Sequence, residues 1–264
     1  MSDKKNVFTD MEGTLKEDKS FRPNGSDYYN PSEFKKLVVA RRSVRKFDGA
    51  PLSDELVMDC LDSGLLAPNS SNLQTWEFIR VKDKAVIEKL AVACFSQSAA
   101  RTASELIVCI ARTDKALEHC HLMLEEFKKM PVETPKAALE YYGKLAPFVY
   151  NTGPLSIYAP FKWLFFTLAG LFKVVPREPL GKGDIKLWAT KSCALACENI
   201  MLAFRSYGLD TCPMEGFDRN RVKSILSLNS DQHIVMILGV GKAVDGGIYG
   251  PQLRFDRNKF IKTI

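Results

Sequence analysis

The feature that most restricts the fold of this chain is a long apolar helix feeding into an extended, glycine-containing segment. The helix opens at Asp184, carries Trp188, Leu195, Ile200 and Leu202, and stops at Tyr207-Gly208, where glycine suits the C-terminal cap. Such a helix belongs in a core. The segment after it, Pro213-Met214-Glu215-Gly216-Phe217-Asp218, reads as extended backbone with a glycine that lets a flat ring come close. Taken alone, it is equally a plain connection to the next helix.

Other elements follow from spacing and caps. Asn30-Pro31-Ser32-Glu33 combines a capping residue, a first-turn proline and a glutamate three residues after the cap, which predicts a helix to about Arg41. A second helix starts at Ser53-Asp54-Glu55 and carries Leu56, Val57, Cys60, Leu61, Leu65 and Leu66 at helical spacing until Ala67-Pro68. Trp76 to Val81 and Leu106 to Ala111 read as strands around a helix over Ala85 to Ala93. Ala116 to Met130 and Pro135 to Leu145 read as helices, and prolines at 147, 154 and 160 then break the chain. A short helix from Asp218, a buried-type strand over Ile234 to Leu238 and a polar C-terminal arm complete it. The mixture argues one α+β domain over residues 30–264, and the 46% hydrophobic content is enough for a sizeable core. Residues 1–29, polar and without the apolar run of a signal peptide, are expected to form a disordered tail.

Composition narrows the function. With 37 basic and 31 acidic residues the charge is +6, and no long basic run is present, so anionic small molecules fit better than nucleic acid. Seven scattered cysteines without a CxxC pair suggest a reducing, cytoplasmic setting. His119-Cys120-His121 points to different sides of a helix and the remaining histidine is His233, so neither a metal site nor a Ser-His-acid triad is expected. Gly239-Val240-Gly241 lacks the third glycine and following helix of a dinucleotide fingerprint.

Three further stretches are candidate binding elements. Arg41, Arg42, Ser43 and Arg45 follow a helix, and if extended the side chains at 41, 43 and 45 share one face, a cradle for phosphate. A solvated basic patch explains the same residues. Pro68-Asn69-Ser70-Ser71-Asn72-Leu73-Gln74 is a polar loop before the Trp76 strand, and a simple turn is the alternative. Gly250-Pro251-Gln252-Leu253-Arg254 lies near the C-terminus.

Together these stretches and Pro213 to Gly216 resemble the signature segments of the FMN-dependent nitroreductases, over roughly residues 31–260 and only in outline between 113 and 185. The resemblance implies a central, mostly antiparallel sheet flanked by helices, and an intertwined homodimer with two flavins at its interface. It implies that Arg41 and Ser43 bind the FMN phosphate with Arg254, and that Arg45 reaches the N1 and O2 edge of the ring. Gln252 stands where a lysine is often found, and Arg42 is the candidate replacement. Pro68, Asn69, Ser70, Asn72 and Gln74 would line the flavin, partly from the partner subunit, with Asn69 in place of a serine and Thr75 in place of a proline. A polar residue at Ser96 or Gln97 would join them. Pro213, Met214, Glu215 and Gly216 would face the reactive edge, the amides of Glu215 and Gly216 at N5 and O4. No side chain is implied as a catalytic acid or base. The implied activity is ping-pong transfer from NADH or NADPH to a nitroaromatic, quinone or similar flat acceptor. The alternatives are a dehalogenase or flavin-destructing enzyme of the same fold, and a membrane-associated flavin-fold protein without turnover.

An apolar insertion spans about residues 145–180. Its run from Trp163 to Phe172 is too short to cross a bilayer, which needs about twenty residues. It is expected to be a lid over the flavin pocket, a dimer contact or an interfacial membrane contact.

Overall fold

Four strands form one antiparallel sheet in a computed structural model that describes residues 30–131 and 133–264. The expected tail over residues 1–29 lies outside the described residues. The strands are β1 (Trp76–Val81), β2 (Glu105–Arg112), β3 (Asp210–Met214) and β4 (Gln232–Gly241), in the order β1-β2-β4-β3. β2 and β4 are central, and β2 is buried from Glu105 to Ala111 because both faces of the sheet are covered. Alternation divides it: Leu106, Val108 and Ile110 enter one core, whereas Ile107, Cys109 and Ala111 enter the other. A bulge opposite Cys109 and Ile110 resets that alternation in β4, so Ile234 and Ile237, of opposite parity, share a face. Each fully buried leucine or isoleucine of these faces contributes about 1.5–3 kcal/mol.

Ten helices surround the sheet among the described residues: α1 (Pro31–Ala40), α2 (Asp54–Leu65), α3 (Lys84–Ala93), α4 (Ser98–Thr102), α5 (Ala116–Lys129), α6 (Lys136–Glu140), α7 (Ala146–Tyr150), α8 (Ala159–Ala169), α9 (Lys182–Ser206) and α10 (Arg219–Ile225). The caps read from the sequence are made: Asn30, Ser53 and Asp218 each accept a backbone N–H of the first turn. α9 is the core helix expected, burying Ala189, Cys193, Ala196, Cys197, Ile200 and Phe204 against β2, β4 and α2. A third, smaller core joins Leu73 to Ala116, Cys120, Tyr142, Ala146, Tyr150 and Ile185.

Two features differ from the sequence reading. Asp210–Met214 is a strand, too short at five residues to show periodicity beside a proline; Pro213 is tolerated because β3 is an edge strand. The C-terminal arm is not simply polar, since Leu253, Phe255 and Phe260 stand exposed along it. α1 likewise buries no residue and exposes Phe34, Val38 and Val39.

Candidate functional site

The chain leaves α1 in extended form at Arg41 and runs beside the free edge of β3. Ser43 bridges Thr211 in parallel, and the Val44 amide donates to the Thr211 carbonyl at 3.0 Å. Val44 is fully buried, so alternation turns Ser43 and Arg45 outward. The C-terminal arm then folds over this segment: the Arg45 amide donates to the Gly247 carbonyl at 2.7 Å, and Arg42 Nη2 donates to the Gly250 carbonyl at 2.7 Å. The Arg45 guanidinium lies 5.3 Å from the centre of the Tyr249 ring. A cleft of ≈430 Å³ results, lined among others by Arg41, Arg42, Ser43, Arg45, Gln252 and Arg254. Its lining holds four guanidinium groups and no carboxylate; Glu198 of α9, which stands 3.7 Å from Arg41 Nε, lies outside it. Four cations, of which only Arg41 has a carboxylate near it, are a donor set suited to a phosphate. The sequence reading grouped these residues across more than 200 positions, and the structure brings them together.

Pro213 and Met214 close β3, paired with Leu238 and Ile237. Met214 turns its side chain into the core, so it offers a ligand only backbone. Glu215 and Gly216 are exposed, and their amides donate to no acceptor among the described residues. The turn is held from the other side: Gln97 Nε2 donates to the Gly216 carbonyl at 2.7 Å and to the Cys94 carbonyl at 3.0 Å, and the Asp218 amide donates to the Ala93 carbonyl at 2.8 Å. Of the two candidates on that loop, Gln97 touches the segment and Ser96 is exposed beside it. Arg45 reaches this end of β3 too. Burial pushes the Cys212 thiol above its usual range, and the Arg45 charge opposes that shift.

The loop from Pro68 to Gln74 sits elsewhere. Ser71, Asn72 and Gln74 adopt positive φ angles of 55, 46 and 47°, backbone that costs about 1–3 kcal/mol per residue unless its surroundings hold it. They do. Tyr142 Oη donates to the Ser71 carbonyl at 2.8 Å, Ser71 Oγ lies 2.6 Å from Tyr141 Oη, and Ser70 Oγ lies 3.3 Å from Tyr150 Oη. His119 Nδ1 contacts the Leu73 carbonyl at 2.6 Å, and Asn69 Oδ1 accepts the Gln74 amide at 2.8 Å. Leu73 is buried, whereas Pro68, Ser70, Asn72 and Gln74 are exposed. The supporting tyrosines lie about seventy residues downstream, with no local spacing to announce them.

Within one chain the loop and the arginine cleft occupy diagonally opposite corners of the sheet. The loop enters β1 at Trp76, on one edge, in the row of Ala111 and His233. Ser43 bridges Thr211 on the other edge, in the row of Val240. Three strand spacings, about 14 Å, and on the order of 20 Å along the strands separate them. In the insertion, α8 presents Phe161, Trp163, Phe165 and Leu168 outward. No helix among the described residues is long and apolar enough to cross a membrane.

Comparison with known proteins shows what the chain as a whole is similar to. The profile of the nitroreductase family matches residues 38–242. An NADH dehydrogenase of Thermus thermophilus is 25% identical over 223 residues, covering 84% of this chain and 93% of that protein. YdgI of Bacillus subtilis, named for the NAD(P)H nitroreductases, is 27% identical over 230 residues, covering 85% and 95%. Among solved structures, a protein of nitroreductase type from Exiguobacterium sibiricum in complex with FMN shares the fold at a TM-score of 0.65 and 24% identity, covering 88% of this chain and 97% of that one.

Proposed function

This chain belongs to the nitroreductase family, and from that premise we propose that it binds FMN and carries electrons from NADH or NADPH to a nitroaromatic, quinone-like or other flat acceptor by ping-pong turnover. The observation that carries this reading is the acid-free cleft of Arg41, Arg42, Arg45 and Arg254, built against β3, the strand that leads into the exposed backbone of Glu215 and Gly216. The FMN complex of the Exiguobacterium relative supports the cofactor, and the names of the Thermus and Bacillus relatives support a nicotinamide donor. When bound, FMN supplies the redox chemistry, accepting and releasing the electrons.

The chain's own groups bind and orient. Arg41, Ser43 and Arg254 hold the phosphate, and Arg42 supplies the charge that Gln252 lacks. Arg45, whose charge acts on Cys212 in β3, would supply a permanent cation that stabilises the negative charge of reduced flavin, a preorganised electrostatic contribution. The amides of Glu215 and Gly216 offer hydrogen bonds from backbone, so Glu215 acts through its peptide group rather than its carboxylate. The diagonal placement of loop and cleft favours a homodimer, in which Pro68, Asn69, Ser70, Asn72 and Gln74 of one copy cover the ring held by the other. Seven buried free thiols suit a reducing, cytoplasmic setting.

The visible spectrum of the purified protein tests the reading, before and after anaerobic NADH or NADPH. Flavin bands that bleach with either nucleotide are expected; a colourless protein that neither takes up FMN nor oxidises NAD(P)H would overturn it. Replacing Arg41 and Arg254 together by Ala removes two charge-assisted contacts and should weaken FMN at least about a hundredfold by fluorescence titration. Full retention of flavin by that double variant refutes the phosphate assignment.

A further inference from the structure

Lys162 is the only charged residue in the apolar run from Phe161 to Phe172, and with Phe166 it turns inward. It is 5% exposed, while its neighbours Phe161 and Trp163 are 70% and 58% exposed. This inverts the usual arrangement, in which a lysine on an apolar helix carries its ammonium to water. Lys162 Nζ donates to the Val149 carbonyl at 2.8 Å, a carbonyl in the last turn of α7, and stands 5.6 Å from the centre of the Phe148 ring. An ammonium has three N–H donors, and the Val149 carbonyl takes one. Among the described residues no carboxylate lies within ion-pair reach of it. Burial draws its pKa below the ordinary lysine range.

Lys162 also lines a cavity of ≈730 Å³ between α7 and α8, together with Phe148, Asn151, Tyr158, Phe161 and Phe165. That volume is within the range of small-molecule sites, about 300–1,000 Å³. Its walls are mostly aromatic, and its one charge is positive. Capping α7 explains one hydrogen bond of Lys162, yet a helix-end interaction does not offset the larger cost of burying an ion that no carboxylate pairs. An anion with an apolar body would offset it. A single compact ammonium suits one carboxylate better than a phosphate, which asks for several donors or a guanidinium fork.

We propose that the cavity between α7 and α8 binds a monoanionic amphiphile, a carboxylate on an apolar chain or ring system, with its head group on Lys162 and its body among Phe148, Phe161 and Phe165. The site stands independently of the flavin reading, since its residues are separate from the arginine cleft and its test reads binding rather than turnover.

Calorimetric titration of the wild-type protein with decanoate, below its micellar concentration, and with decanol is the first measurement. Saturable decanoate binding with one site per chain, at least about tenfold tighter than decanol, is expected from a charge-assisted contact. Equal affinity for the two, or no decanoate binding, overturns the proposal. Lys162→Met keeps an apolar side chain of similar length there, and it should lose the preference for decanoate while retaining the wild-type FMN content. Unchanged decanoate affinity in that variant also overturns it. Phosphatidylglycerol vesicles serve as a separate arm: co-sedimentation with vesicles by a protein that ignores monomeric decanoate would assign α8 to a lipid surface and dismiss the cavity as a carboxylate site.

Discussion

At Gly64, in the last turn of α2, helix propensity and packing pull in opposite directions. Alanine there would gain about 1 kcal/mol on propensity alone. Its Cβ, however, would meet Ile200 Cγ1 at 2.5 Å and Cδ1 at 2.7 Å, with the Ala196 carbonyl at 3.3 Å. Ile200 is fully buried and β-branched, so it has little freedom to withdraw. Overpacking of this kind costs about 1–3 kcal/mol, which outweighs the propensity gain. Gly64→Ala should therefore lower stability by up to about 2 kcal/mol in urea unfolding; a more stable variant would show that α2 can move away from α9. Nothing in the sequence around Gly64 announces this, because the atom that excludes a side chain comes from a residue more than a hundred positions away. The N-cap side chains at Ser53 and Asp218 are the opposite case, legible because each one's partners lie within three residues.

Among elements, the join of β1, β2 and α2 depends on a charge that the sequence reading left outside the strand. The apolar run suggested a start at Leu106, yet Glu105 is the first residue of β2 and is 4% exposed. Arg80 of β1 holds it with two bonds, Nε to Oε2 at 2.5 Å and Nη2 to Oε1 at 2.7 Å. The same Nη2 reaches Asp54 Oδ1, at the start of α2, at 2.8 Å. Removing one partner of a buried pair leaves the other desolvated without compensation. Glu105→Gln should accordingly cost about 3 kcal/mol by chemical denaturation, several times the effect of removing an exposed pair such as Lys128 with Glu125. Equal effects from the two would mean that water reaches Glu105. Hydrophobic pattern finds strands by their apolar residues, and it misses a buried acid whose partner sits on another strand.

In the whole molecule the flavin reading has a consequence for assembly. Arginine cleft and polar loop lie at opposite corners of one sheet, and α1 and the C-terminal arm leave Phe34, Val38, Phe255 and Phe260 exposed among the described residues. Both facts fit the proposed two-fold homodimer, in which each copy would supply half of each site. Dilution should then release FMN with the same midpoint as dimer dissociation, measured by flavin fluorescence alongside sedimentation; monomers that retain FMN would place the whole site within one chain. By itself the sequence determined the core helix, its capped neighbours, the strands with strong apolar runs, and the donor groups that the arginine and glycine segments carry, because these depend on residues close together in the chain or on their type alone. Only the tertiary structure decided which segments meet. It put Arg254 beside Arg41, chose Gln97 over Ser96 at Gly216, set the tyrosines beneath the polar loop and turned Lys162 inward, since each of these follows from packing between residues that the chain order leaves far apart or points with no preference.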